Sequence, residues 1–384
     1  MEAYFDNSAT TKVTESVKDI VVKAMTEDYG NPSSMHMVGV EAEKYIKTAK
    51  ENIAKILKVD QREIYFNSGG TEGNNQAIIG VAEANKRSGN KIITTEIEHA
   101  SVASPMKYLE KEGYQVVYLP VDHLGVVDME TLKKEMSADT ILVSVMYVNN
   151  EVGAMQPVGE IGKYIKTVNP KVVFHVDAIQ AFGKMEIRPK REKIDILTVS
   201  GHKIHGPKGS GFIYIQKNTK IHPIISGGGQ QDGMRSGTEN VPGIAGIGQA
   251  AKECYDHLEE NVKIMTELKD YLIDRLSQIE GVTVNSRKGN QGAPHIVSAS
   301  FKGVRSEVLL HALEEKGIYV SAGSACSSNR PSVSRTLKAM QIDKDLLEST
   351  VRFSFSKLNT KEQIDYCMEQ LQELLPVLRK YVRR

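Results

Sequence analysis

Short apolar runs rich in β-branched residues constrain this chain most. They occupy 91–95, 116–119, 140–145, 172–176 and 194–199, and each ends in polar or glycine-rich sequence. Continuous apolar runs of this length suit strands buried on both faces. Helical patterns lie between some of them, at 41–57 and 129–136. That alternation predicts an α/β fold with a mostly parallel central sheet.

The pattern changes after about 248. Residues 250–279 read as one long amphipathic helix, apolar at Tyr255, Leu258, Val262, Met265, Leu268 and Leu272. Strand candidates follow at 282–284 and 296–301, and a last helix is expected over about 360–382. The expectation is a large domain over 12–250 and a smaller α+β domain built from 1–11 and 251–384. With 49 basic and 48 acidic residues the net charge is +1, which argues against binding nucleic acid by bulk charge. No apolar stretch reaches membrane-spanning length and the first residues do not resemble a secretory signal. The 3 cysteines, Cys254, Cys326 and Cys367, show no CxxC spacing, so no disulfide framework or metal site is expected. A cytoplasmic protein is the expectation.

In an open parallel sheet, ligands bind beyond the carboxyl ends of the strands, and the notable residues fall at such ends. Ser68-Gly-Gly-Thr-Glu joins a strand to a helix start at Gly70 and Thr71, whose N–H groups suit a phosphate. Taken alone, an ordinary strand-to-helix turn with a Thr cap is the favoured explanation. Asp177 ends an apolar strand, where a carboxylate needs a cationic partner, and Gln180 follows within one turn. A carboxylate capping the next helix is an equal alternative. Ser200-Gly-His-Lys places Ser200, His202 and Lys203 together, and a lysine there can form a Schiff base. Cys326 sits among Gly323, serines and Pro331, as a reactive loop thiolate would, whereas Cys254 and Cys367 fit amphipathic helices as small hydrophobes. Arg352 interrupts an apolar strand, either to grip a carboxylate bidentately or to form a salt bridge.

Together these segments resemble the cysteine desulfurases, in the branch of the nitrogen-fixation and housekeeping iron–sulfur enzymes. Further matches run in order along nearly the whole chain: Asp6-Asn-Ser-Ala-Thr-Thr, Gly30-Asn-Pro-Ser-Ser-Met-His, Glu98-His, Asn149-Asn-Glu-Val-Gly, Gly227-Gly-Gly-Gln, Gly233-Met-Arg-Ser-Gly-Thr-Glu and Val351-Arg-Phe-Ser. Each motif is weak alone, and their joint order is specific. The resemblance implies fold type I of the pyridoxal 5'-phosphate (PLP) enzymes, with PLP bound as a Schiff base on Lys203. It implies that His99 stacks on the ring and moves protons. Asp177 meets the ring nitrogen and Gln180 the ring hydroxyl. Gly70, Thr71, Ser200 and His202 hold the phosphate, joined by Thr238 from the other subunit of a homodimer. Asn150 and Arg352 bind the carboxylate of L-cysteine, and Cys326 takes the sulfur as a persulfide, with alanine released. His99 is the candidate acceptor of the Cys326 proton. The sulfur then passes to an acceptor such as an iron–sulfur scaffold.

Two departures matter. Gln231-Asp232 stands where the family commonly has Glu-Arg, which removes a charge pair near the dimer interface. Only five positions separate Cys326 from Pro331, a short loop with less reach toward an acceptor. Rival readings are a selenocysteine lyase, a class-V aminotransferase, which has no need of Cys326, and a non-catalytic sulfur-carrier scaffold.

Overall fold

The computed structural model describes residues 1–322 and 333–381. The chain opens on a short strand, β1 (Ala3–Tyr4). Seven strands then build the main sheet: β2 (Ile64–Asn67), β3 (Lys91–Thr95), β4 (Gln115–Leu119), β5 (Thr140–Met146), β6 (Val173–Asp177), β7 (Ile196–Ser200) and β8 (Gly211–Ile215). Their order is β2-β8-β7-β6-β5-β3-β4, and every neighbouring pair is parallel except the two that involve β8.

Burial follows position in the sheet. Strands β3, β5, β6, β7 and β8 are buried at every residue, as strands covered on both faces should be. The run at 116–119 departs from that expectation. It belongs to edge strand β4, which is buried only at Leu119. One face packs against the helices Gly70–Asn85 and Ala100–Lys111 through Ile78, Val81, Val102 and Met106. The other face lies under the helices Glu15–Thr26, Met37–Leu57 and Val241–Asp256.

The amphipathic stretch at 250–279 is not one helix. It breaks at His257 (φ −123°, ψ 24°) between the helices Val241–Asp256 and Leu258–Leu276. The first helix serves the large core and the second a separate one. Each keeps its apolar face, so periodicity alone did not register the change of direction. The later strands are β9 (Val282–Val284), β10 (Ile296–Phe301), β11 (Ile318–Tyr319), β12 (Ser321–Ala322) and β13 (Thr350–Ser354). An antiparallel sheet runs β12-β13-β10-β9, while β1 pairs with β11 in parallel. Phe5, Phe301, Phe353 and Phe355 fill the second core, with Phe5 edge-on to Phe355 at 5.4 Å. The N-terminal strap thus pairs with one sheet and continues, through residues 6–11, to the end of the other.

The last helix, Lys361–Leu378, begins at a reciprocal cap of Thr360 and Gln363, which explains its sharp start.

Candidate active site

The carboxyl ends of β2, β3, β5, β6 and β7 face the same way, and the candidate residues follow them. After β2 the backbone turns at Gly69 (φ +142°), a conformation that favours glycine. The helix Gly70–Asn85 then starts without a side-chain cap, leaving its first N–H groups to an outside acceptor. A Cβ on Gly69 would lie 3.5 Å from Ser200 Oγ, and one on Gly70 would lie 2.1 Å from Ile179 Cδ1. Gly70, the exposed Thr71 and the buried Ser200 therefore share one corner with the turn after Asp177.

Asp177 is 4% exposed at the end of β6. Its carboxylate accepts from Asn74 Nδ2 at 2.8 Å and from the Ile179 N–H at 2.9 Å. Burial pushes its pKa up, against these two donors and the nearby His99 and Lys203. Such a carboxyl suits a cationic ligand. Asn74 also donates to Ser101 Oγ at 2.9 Å, and that hydroxyl meets His99 Nδ1 at 2.8 Å. The Ser101 N–H points at the same ring nitrogen. His99 Nδ1 is thus an acceptor, and the neutral ring carries its proton on Nε2.

Lys203 lies just beyond β7. Its Nζ donates to the carbonyls of Ser8 and Ala9, the latter at 2.7 Å. Gln180 Nε2 also donates to the Ser8 carbonyl, at 3.0 Å, while Gln180 Oε1 lies 3.2 Å from His295 Nε2. His202 Nδ1 meets Thr10 Oγ1 at 3.3 Å, and its carbonyl accepts the Thr11 N–H. Burial and the adjacent lysines push the His202 pKa down to about 4, so the ring is neutral near pH 7.

Arg352 enters from β13 and is 4% exposed. One Nη donates to the Asn150 carbonyl at 2.8 Å and the other pairs with Asp6 at 2.8 Å. The Arg352 Nε–H is buried with no acceptor among the described residues. Asn150 contributes its backbone here. Thr238 is exposed on a loop that shares a surface cleft with Ser68. Cys326 and Pro331 lie outside the described residues. Cys254 and Cys367 are both buried, and burial lifts their thiols, Cys367 to about 12.

The sequence reading missed the Ser8 and Ala9 carbonyls, Asn74, Ser101 and the Asp6 partner of Arg352. Asn74 lies one helical turn past Gly70, and that spacing was its only signal. At the first departure, Gln231 is buried and accepts the Phe66 N–H of edge strand β2 at 3.0 Å. A neutral side chain there occupies an otherwise open strand edge.

The chain matches the class-V aminotransferase family model over residues 3–367. It is 41% identical to a cysteine desulfurase IscS of Methanosarcina thermophila over 376 residues, covering 98% of this chain and 92% of that one. The chain belongs to the cysteine desulfurases. A second family member, the IscS of Dictyoglomus turgidum, is 40% identical over 379 residues, covering 98% of this chain and 95% of that one. Among solved structures, a NifS-like protein superposes with a TM-score of 0.93 at 40% identity, covering 98% of this chain and all of that one. A NifS-like protein from Rickettsia africae gives 0.87 at 31%, with the same two coverages.

As a desulfurase the chain is a PLP enzyme, and the residues present fit that cofactor. An uncapped helix start beside Ser200 offers donors to a phosphate. The buried Asp177 calls for a cation such as a protonated pyridine nitrogen. Ser8 Oγ, next to the Lys203 amine's acceptor, is buried without a partner among the described residues. No helix of the described residues is long and apolar enough to cross a membrane.

Proposed function

We propose that this protein takes sulfur from L-cysteine onto Cys326, releases L-alanine and hands the sulfur to an acceptor protein such as an iron–sulfur scaffold. The observation that carries this reading is the convergence of Lys203, Asp177 and Arg352 beyond one end of the main sheet.

Lys203 binds PLP covalently, with Gly70, Thr71, Ser200 and His202 around the phosphate. Bound PLP supplies an electron sink for the bond broken at the substrate Cα. Asp177 holds the proton on the ring nitrogen, and Asn74 keeps that carboxylate oriented. Gln180 is turned toward the Lys203 amine by the shared Ser8 carbonyl, so its remaining amide N–H is available to the ring hydroxyl. Arg352 grips the substrate carboxylate with its Nε–H, which has no acceptor among the described residues, beside Asn150. The Lys203 amine, beside Ser8 and Ala9, would be the base that takes the substrate's Cα proton. His99, whose Nδ1 is held as an acceptor by the Ser101 N–H, is left with Nε2 as the donor it would turn toward the cofactor. It accepts the Cys326 proton only after passing on the one it holds.

Cys326 is the nucleophile by its polar setting and by contrast with the other two cysteines. A thiolate is the attacking form, and burial makes the Cys254 and Cys367 thiolates costly.

A homodimer is part of the proposal. Val22, Met25, Tyr29, Met35, Met37 and Val38 are exposed within 17 consecutive residues. A concentration of exposed apolar side chains marks an interaction face. The exposed Thr238 is free to reach the phosphate of the second copy.

Two variants test the reading. Cys326→Ala should retain the yellow cofactor and its spectral response to cysteine, yet form no persulfide. Lys203→Ala should lose both the lysine-bound absorbance and turnover. Undiminished sulfide release by the first, or a normal spectrum in the second, would overturn the assignment.

A further inference from the structure

Lys203 is held at both ends. Its amine meets the Ser8 and Ala9 carbonyls, and its own backbone carbonyl accepts from Lys184 Nζ at 2.8 Å. Lys184 is 7% exposed, and among the described residues that carbonyl is the one hydrogen-bond acceptor of its ammonium. No carboxylate among them lies within ion-pair distance. A small cleft between the two sheets places Asn261, Ser356 and Lys357 beside Lys184 and Lys203. A buried ammonium so poorly compensated is costly, and burial pulls its pKa down to about 8, opposed by the Cys254 thiol on the helix Val241–Asp256. The other titratable groups that feel its charge are His202 and His205, on the turn after β7, and His295, just before β10, each held neutral near pH 7. Glu253 and Lys357 act on the same cluster from the helix Val241–Asp256 and the segment after β13.

We propose that Lys184 is a positioning residue for Lys203: it fixes the backbone at 203 and sets a second positive charge behind the cofactor-bearing amine. A neighbouring cation disfavours the protonated amine, the form that cannot take a proton from the substrate. Packing alone would need only the length of the side chain. A charge in this place serves the chemistry of Lys203.

The inference rests on Lys203 being the cofactor lysine, and the experiment separates the two. The holoenzyme's visible absorbance is titrated with pH in wild type, Lys184→Met, Lys184→Arg and Lys203→Ala. Lys184→Met keeps the length and loses the charge. Its midpoint should rise by about half a pH unit or more, a threefold change in proton affinity, and kcat should fall more than KM rises. Lys184→Arg should keep the wild-type midpoint. If Lys184→Met does not fold, as judged by thermal melting, Lys184→Gln carries the same expectation. An unchanged midpoint in the neutral variant, or equal shifts in the neutral and arginine variants, overturns the proposal. A wild-type band persisting in Lys203→Ala would instead remove the assignment of Lys203.

Discussion

Arg352 meets Asp6 and the Asn150 carbonyl while its buried Nε–H lacks an acceptor among the described residues. Asp6 neutralises the guanidinium in the free enzyme, and the spare donor is left for a substrate carboxylate. A lysine at 352 has the charge but not the planar fork. Arg352→Lys should raise KM for L-cysteine about tenfold or more, the equivalent of losing about 1.4 kcal/mol, while leaving the cofactor absorbance intact; steady-state kinetics and a spectrum check both. Glu98 offers a pH test. Its Oε1 accepts from Thr95 Oγ1 at 2.7 Å and the Met146 N–H at 2.9 Å, and burial lifts its pKa to about 8. The folded chain therefore keeps a proton that the unfolded chain loses near 4.5. Stability from this group is complete below that value and falls as pH rises toward 8, by at most about 1.4 kcal/mol per pH unit. Glu98→Gln has no proton to lose, so its melting temperature relative to wild type should climb from pH 5 to pH 8. A pH-independent difference would contradict a protonated Glu98. Lys203, Asp177 and Arg352 were legible in the sequence because a charged residue beside an apolar run needs a reason. Lys184, Asn74 and the Ser8 carbonyl were not, because their meaning comes from what lies across the fold.

At the scale of elements, the sheet positions the site and the helices hold the sheet. Gly248, on the helix Val241–Asp256, lies against the helix Met37–Leu57 so closely that a Cβ there would come within 2.6 Å of Ala49 Cβ and 2.8 Å of Ala49 Cα. The backbone cannot yield as a flexible side chain would. Gly248→Ala should therefore cost about 1–3 kcal/mol, read as a lower melting temperature with an unchanged holoenzyme spectrum. The parallel strands were readable because burial on both faces forces continuous apolar runs. The break at His257 was not, because both helices keep a 3.6-residue apolar rhythm across it. β8 carries an equally buried apolar run and was overlooked; what composition does not record is its antiparallel direction.

At the scale of the whole molecule, the exposed apolar run from Val22 to Val38 and the exposed Thr238 point outward from a single chain. Tyr29→Asp combined with Met35→Glu should shift the sedimentation mass toward one chain and weaken PLP retention. A monomeric wild type would contradict the shared phosphate site. The reaction was legible in the order of motifs along the chain, whereas the sulfur acceptor has no signature in one sequence. The central claim is that Cys326 takes sulfur from L-cysteine. It is tested most directly by mixing the purified holoenzyme with L-cysteine, quantifying alanine and mapping added sulfur by peptide mass. The account predicts alanine together with one added sulfur atom on the Cys326 peptide. Alanine formed with sulfur on Cys254 or Cys367, or no alanine at all, would contradict it.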